Sequence, residues 1–148
     1  MATGVRFLGL TSPGNLDDLR GLDAAAFERR LHTLLPVGRE EFDVVLTWTL
    51  FDYLRPGQPN LLSRHLAAIS TPGARVHAMI AMSDRMPAVP GRFEIVEPGR
   101  LAYLPSPGDP VPAPGTPPAK IEAWLDPFRV EHAVVLRHGI REVLAILQ

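Results

Sequence analysis

The sequence predicts an α/β fold, in which a parallel sheet with helical crossovers is finished by a C-terminal antiparallel hairpin. Two segments, residues 42–50 and 76–82, carry consecutive apolar side chains, a pattern typical of strands covered on both faces. Between them, apolar side chains at Leu62, Leu66 and Ile69 recur at helical spacing. The order strand, helix, strand with short connections indicates a parallel crossover.

The composition fits one ordinary globular domain. The chain has 148 residues, of which 46% are hydrophobic and 21% charged, and these values are typical of a chain that buries a core. A formal net charge of -1 leaves no surplus of positive charge for phosphates, so we expect no nucleic-acid binding. No apolar run is long enough to span a bilayer, and no signal-peptide pattern occurs, so we expect a cytoplasmic protein without membrane contact. The absence of Cys excludes disulfides and thiolate chemistry.

The N-terminal third predicts a strand followed by a helix. Residues 5–10 form a short β-type run that ends in turn residues. Asp23 is a candidate N-cap for a helix over residues 24–35, which places Phe27 and Leu31 on one face. Asn60 is the corresponding candidate cap for the helix between the two buried strands.

The character of the chain changes after Met86. Residues 93–96 and 101–104 predict short strands around a turn. Seven of the fourteen residues in 105–118 are Pro, which excludes a helix or a central strand there. Thr116 is a candidate cap for the short helix that follows.

Two final strands, residues 128–136 and 142–147, predict the closing hairpin, because the turn between them contains Gly. We therefore expect a single domain over residues 1–148. Its predicted parts are an α/β part at 5–86, a Pro-rich insertion at 87–118, and a helix with the closing hairpin at 119–148.

Several segments, taken in order, resemble class I S-adenosylmethionine-dependent methyltransferases. Residues 42–54 (FDVVLTWTLFDYL) resemble the family's fourth strand and the loop beside the methyl donor. Residues 71–82 are similar to the entry into the fifth strand and that strand itself, and the closing hairpin is similar to the sixth and seventh. The resemblance covers about residues 42–148. It implies a Rossmann-like methyltransferase sheet, S-adenosylmethionine as cofactor, and methyl transfer to an unknown small-molecule or macromolecular acceptor.

The N-terminal part departs from that family's pattern. The family's first strand ends in a glycine-rich loop, and an acidic residue after the next strand binds the ribose hydroxyls. Residues 8–14 lack the Gly-x-Gly spacing, and positions 11–41 leave room for one helix, because a βαβ unit takes roughly 30 residues. Two interpretations stay open. Residues 5–10 match the second strand of a truncated sheet, incomplete at the N-terminus, or they are a degenerate first strand followed by a deletion.

Ligands of open α/β sheets bind at the carboxyl ends of the strands, and this rule selects the residues that follow the fourth-strand segment. The resemblance implies Thr47, Trp48 and Phe51 as cofactor contacts and Asp52 and Tyr53 as catalytic residues facing the substrate. Aromatic rings attract a sulfonium cation, and alignment supplies most of the catalysis of methyl transfer. The structural alternatives are that the aromatic side chains fill the core and that the Asp is a local cap.

The remaining polar residues give weaker signals. Ser83, Asp84 and Arg85 follow the second buried strand and are expected to be solvated. The five His residues lack metal-ligand spacing, so we expect no metal site, and His77 is expected to be a hydrogen-bonded core residue.

Two functional hypotheses follow. The first is an S-adenosylmethionine-dependent methyltransferase-like protein, truncated or inactive if its cofactor site is incomplete. The second is a non-catalytic interaction module, a pseudo-methyltransferase. Such a module would form a homodimer or bind a protein partner that covers its exposed sheet edge.

Overall fold

A computed structural model of the protein describes residues 13–38 and 41–148, so the strand predicted at residues 5–10 lies outside the described residues. The helices in the described part are α1 (Pro13–Arg20), α2 (Ala24–Leu34), α3 (Gln58–Ala68) and α4 (Pro118–Leu125), with a 3-10 helix at Leu50–Tyr53. The strands there are β1 (Phe42–Trp48), β2 (Ser70–Ala81), β3 (Arg85–Met86), β4 (Arg92–Glu97), β5 (Arg100–Leu104), β6 (Val111–Pro112), β7 (Phe128–Leu136) and β8 (Ile140–Leu147).

Four strands form the main sheet, in the order β1-β2-β8-β7. β1 and β2 are parallel, with Val45 opposite Val76, whereas β8 is antiparallel to both β2 and β7. The predicted mixed α/β class, with a parallel pair and a closing antiparallel hairpin, is therefore confirmed. Within the described residues the parallel part consists of this one pair. The β3–β6 and β4–β5 pairs form separate two-stranded sheets. Within residues 105–118, the chain is a loop apart from β6 and the first residue of α4.

The core lies on one face of the main sheet. Val76, Ala78 and Ile80 alternate along β2, as period-two geometry requires, and each is at most 1% exposed. They belong to one buried cluster that includes Phe27 of α2 and Leu62 of α3. Removing each large side chain from water contributes roughly 1.5–3 kcal/mol, so this face supplies much of the stability.

One predicted helix cap is confirmed and one is wrong. The Asp23 Oδ1 atom accepts a hydrogen bond from the Ala26 N–H at 2.8 Å, which caps α2 as predicted. α3 begins at Gln58 rather than after Asn60, because the chain turns at Gly57 with a φ of 89°. The Asn60 side chain instead donates to two backbone carbonyls at the end of α4, which fastens α4 to α3.

The predicted cap at Thr116 is also wrong. Pro117 occupies the N-cap position of α4, and no side chain caps that helix. The Thr116 hydroxyl is buried without a hydrogen-bond partner among the described residues. Pro has no backbone N–H, so a Pro in the first turn leaves one fewer N–H for a cap to satisfy. α4 therefore begins without a polar cap.

Several strand boundaries differ from the predictions, and β8, for example, begins at Ile140 rather than at residue 142. β1 ends at Trp48 because the 3-10 helix begins at Leu50. β2 begins at Ser70 rather than at residue 76, and the predicted turn at residues 71–73 lies inside it. Pairing with β1 is interrupted there and resumes at Arg75. No helix in the described ranges is long and apolar enough to cross a membrane.

Candidate functional site

The five predicted site residues follow one another at the carboxyl end of β1, beside the end of β2. Thr47 is buried, and its Oγ1 donates a hydrogen bond to the His77 carbonyl of β2 at 3.0 Å. This bond joins the two parallel strands where ligands of open α/β sheets bind. Because the hydroxyl proton of Thr47 is donated to the His77 carbonyl, the side chain of Thr47 holds β1 against β2.

Trp48 has an unusual backbone conformation. Its φ is 51°, in the left-handed region that costs a non-Gly residue of order 1–3 kcal/mol. The Trp48 ring stacks on Phe93 with ring centroids 4.5 Å apart and planes 5° from parallel, and it meets His77 edge-on at 6.2 Å. These contacts hold the ring in place at the strand end. Strained residues that are held in this way are a recurring feature of binding sites.

Asp52 combines burial with an unused acceptor. Its side chain is 5% exposed, and Oδ2 accepts a hydrogen bond from the Ala81 N–H at 2.7 Å. Oδ1 is buried and has no partner among the described residues. Burial raises the pKa of Asp52 from 3.8 to about 6, although the Ala81 bond opposes the rise. The local-cap alternative is wrong, because the bond reaches across to the last residue of β2.

Tyr53 is held by its hydroxyl. The Tyr53 OH donates to the Pro87 carbonyl at 2.8 Å, and the residue is buried. Burial raises the pKa of Tyr53 to about 12, and the nearby Tyr103 and Asp52 add to the rise. Tyr53 therefore keeps its proton at neutral pH, and that proton is engaged with the backbone after β2.

Phe51 lies in the core. It is 0% exposed and faces Trp124 of α4 at 6.2 Å, with the ring planes 14° from parallel. This placement is the one that the core-filling alternative describes. A ligand contact for Phe51 stays a prediction, as do the catalytic and binding roles of the other four residues.

One feature of this region was not predicted. Phe93 and Tyr103 face each other across the β4–β5 hairpin at 4.9 Å and extend the aromatic row that begins at Trp48. His77, predicted to be a hydrogen-bonded core residue, bonds to Glu142 of β8 at 2.7 Å but is partly exposed, because it lies on the face of β2 opposite the core. The alternating pattern of β4 could have indicated Phe93, but nothing local in the sequence brings the hairpin against β1.

The residues after β2 are exposed, as expected. Ser83 donates to the Arg85 carbonyl, and Arg85 donates to the Pro110 carbonyl, so both serve the local loop structure. Two open depressions, of about 620 and 390 Å³, lie around α4 and the start of β7. Neither is lined by any of the five candidate residues. In the described part of the chain, no group of three or more His, Asp or Glu side chains is placed to hold a metal ion.

Comparison with solved structures finds a glycopeptide N-methyltransferase and a pyocyanin biosynthetic protein. The chain is similar to the glycopeptide N-methyltransferase MtfA complexed with S-adenosyl-L-homocysteine, at 15% identity and a TM-score of 0.50, over 84% of this chain and 68% of that chain. MtfA complexed with sinefungin gives 15% identity and a TM-score of 0.50, over 84% and 72%. The pyocyanin biosynthetic protein PhzM gives 14% identity and a TM-score of 0.48, over 74% and 31%.

No protein-family profile matches the chain, and no curated protein sequence matches it. At these identities the likeness to MtfA concerns the fold. The main sheet and its helices therefore have a methyltransferase-like fold.

Proposed function

We propose that the protein binds S-adenosylmethionine at the carboxyl ends of β1 and β2 and acts as a methyltransferase-like protein. The observation that carries this proposal is the buried Asp52 Oδ1, an acceptor without a partner among the described residues. It lies near the carboxyl ends of the parallel strands, where open α/β sheets bind ligands. Native proteins rarely leave such an atom unsatisfied, and a donor from a bound ligand would satisfy it. The similarity of fold to MtfA, solved with S-adenosyl-L-homocysteine and with sinefungin, supports the choice of ligand.

The residues present fit this ligand in two respects. S-adenosylmethionine carries an ammonium group, ribose hydroxyls and an adenine amino group, and each is a donor that one carboxylate oxygen can accept. The Trp48–Phe93 stack offers aromatic surface to a sulfonium cation. Residues 8–14 have no Gly-x-Gly spacing. The proposed contacts with the cofactor therefore come from the ends of β1 and β2.

When bound, the cofactor supplies an electrophilic methyl group. Asp52, with a pKa of about 6, is ionised at neutral pH, and its Oδ1 is the acceptor that one of these cofactor donors would occupy. Tyr53 donates its own proton to the Pro87 carbonyl, which anchors the Tyr53 side chain to the backbone after β3. The Trp48 ring, fixed by Phe93, excludes water from one side of the strand end.

Calorimetric titration with S-adenosylhomocysteine tests this proposal. We expect the wild type to bind, and Asp52→Asn to bind about tenfold more weakly, because a charge-assisted hydrogen bond is lost. Asp84→Asn is the matched control, since Asp84 is exposed just after β2, and it should bind like the wild type. No heat of binding for the folded wild type at millimolar ligand would contradict the proposal.

The second candidate is a non-catalytic module that pairs its sheet edge with a protein partner or a second copy. On β1, Val44 is 58% exposed and Leu46 is 44% exposed, and no strand in the described part pairs with β1 on the side away from β2. Such an edge is a template for strand addition. Light scattering on the wild type and on Val44→Lys tests it: self-association weakened by the Lys would support this candidate, and a stable, well-folded monomer would count against it.

A further inference from the structure

The β4–β5 hairpin has a charged face and an apolar face. Arg92 and Glu94 lie on one face and form an ion pair at 3.3 Å. Alternate residues of a strand share a face, and so do directly opposed residues of two paired strands. The other face therefore carries the side chains of two cross-strand pairs, Phe93 with Tyr103 and Ile95 with Leu101. We call these four side chains the hairpin surface.

Part of the hairpin surface is packed and part is exposed. The Phe93 ring stacks on Trp48, so the surface begins at the carboxyl end of β1. Beyond this stack, Ile95 is 64% exposed, Tyr103 is 44% exposed and Leu101 is 42% exposed. The Tyr103 hydroxyl forms no hydrogen bond with the described residues. The hairpin surface therefore extends the proposed cofactor site into an uncovered apolar strip with one polar group.

Two hydrogen bonds fix the hairpin in this position. The Tyr53 hydroxyl donates to the Pro87 carbonyl, a few residues before the hairpin begins. The Ser106 hydroxyl donates to the Pro90 carbonyl at 2.8 Å, and this bond closes the base of the hairpin. Together with the ring stack at the end of β1, these bonds hold the surface in place. A surface that is already ordered loses little conformational entropy when a ligand binds to it.

We propose that the hairpin surface binds the methyl acceptor, and that the part of the acceptor lying on it is an uncharged aromatic ring system. This inference rests on the proposed function, since it names the substrate class of that site. The exposed Tyr103 ring offers a stacking partner to another ring, and its hydroxyl can form a hydrogen bond with a polar substituent. The hairpin surface contains no charged side chain, so a charged ring system would lose hydration without gaining a partner.

The size of the hairpin surface favours a small molecule over a second polypeptide. A stable protein–protein interface takes about 20–30 residues from each partner. The hairpin surface has four side chains, and one of them is already covered by Trp48. The three exposed side chains are enough to contact one face of a molecule with two fused rings. An aromatic acceptor therefore fits this surface better than a protein does.

NMR titration of the labelled full chain with 2-naphthol, without cofactor, tests the inference. Decahydro-2-naphthol is the matched probe, because it has the same carbon skeleton and hydroxyl but no aromatic ring. We expect 2-naphthol to shift the amide signals of Phe93, Leu101 and Tyr103. It should bind about fivefold more tightly than the saturated probe, since ring stacking adds to apolar contact. The amide signal of Val135, an exposed residue of β7, should not move.

Substitutions separate the aromatic ring of Tyr103 from its hydroxyl and from apolar contact in general. Tyr103→Leu should bind the two probes equally, whereas Tyr103→Phe should keep the fivefold preference. Ile95→Ser tests the same surface without touching an aromatic ring, and it should weaken the binding of both probes to a similar extent. Val135→Ser is the matched control, because Val135 is 60% exposed on another strand, and it should bind both probes like the wild type.

An absence of shifts, equal affinity of the wild type for the two probes, or a preference that survives in Tyr103→Leu would overturn the inference. Signals of the hairpin that broaden with protein concentration before any probe is added would also overturn it, because a second copy would then occupy the surface. Neither probe resembles the cofactor, and S-adenosylhomocysteine is absent from these titrations. Failure of the aromatic probe to bind is therefore distinguishable from failure of the cofactor to bind.

Discussion

The Asp52 carboxylate accepts a hydrogen bond from the Ala81 N–H at 2.7 Å, and this bond joins the 3-10 helix after β1 to the last residue of β2. The bond fixes one carboxylate oxygen at the carboxyl end of the parallel pair and leaves the other oxygen buried without a described partner. The protein thus keeps a poorly satisfied carboxylate at the end of its parallel strand pair, at a cost to its own stability.

That cost predicts a pH dependence of stability. Burial raises the pKa of Asp52 from 3.8 to about 6, so between these values the folded protein holds a proton that the unfolded chain has lost. The free energy of unfolding should therefore fall by about 3 kcal/mol as the pH rises from about 4 to about 6, and should level off above. Urea denaturation across this range measures it.

Asp52→Asn should remove this contribution. We expect the variant to be more stable than the wild type at neutral pH by about 1–3 kcal/mol, since no buried charge has to be formed. Asp84→Asn, at an exposed position, should keep the wild-type pH profile. An Asp52→Asn variant that still loses stability between these pH values would show that another group is responsible.

Because the φ of Trp48 is left-handed, Gly should be more stable than Ala at this position, the reverse of the usual order. Both Trp48→Gly and Trp48→Ala lose the stack on Phe93, but only Gly adopts a φ of 51° without strain. Trp48→Gly should therefore be more stable than Trp48→Ala by about 1 kcal/mol in urea denaturation. At Thr49, with a φ of -96°, the order should be the ordinary one, with Ala more stable than Gly.

The close approach of Gly91 to the Tyr103 ring predicts that the effects of substitutions at these two positions on stability are not additive. A Cβ atom at Gly91 would lie 2.2 Å from Cε2 of Tyr103, so Gly91→Ala must displace the ring that continues the aromatic row. We expect a loss of about 1 kcal/mol in the wild type and almost none in a Tyr103→Ala background. Equal losses in both backgrounds, measured by thermal denaturation, would contradict this contact.

Substitution of Thr116 tests whether its buried hydroxyl is unpaired or stabilises the protein as a helix cap does. Because the buried Oγ1 has no partner among the described residues, Thr116→Val should leave stability unchanged or raise it by about 1 kcal/mol. Asp23→Ala, which removes the observed cap of α2, should lower stability by about 1 kcal/mol. If Thr116→Val cost as much as Asp23→Ala, the hydroxyl would have a partner after all.

Local patterns predicted much of the fold. The closing hairpin was predicted because the turn between the two final strand segments contains Gly. Asp23 was recognised as a cap because a short polar side chain preceded a helical apolar pattern. Asn60 and Thr116 have the same chemistry, but a left-handed Gly57 and Pro117 begin those helices, so local composition alone was ambiguous.

The sequence predicted where the candidate residues lie in the fold, and their roles stay predictions. The rule that ligands bind at strand ends selected Asp52, and the structure places Asp52 just after β1 and bonds it to the last residue of β2. The sequence did not indicate that Phe93 would cover Trp48, because that contact depends on how a separate hairpin packs against β1. Nor did it indicate the bond to Ala81, since a carboxylate at a strand end has many possible partners.

The most direct test of a ligand site at the ends of β1 and β2 is an NMR titration of the labelled protein with S-adenosylhomocysteine. We predict that the largest shifts will be those of the Ala81 amide, which is bonded to Asp52, and of the Trp48 indole. The Asn60 side chain, in the depression beside α4, should not respond. No shifts at saturating ligand, or shifts confined to α4, would contradict the account.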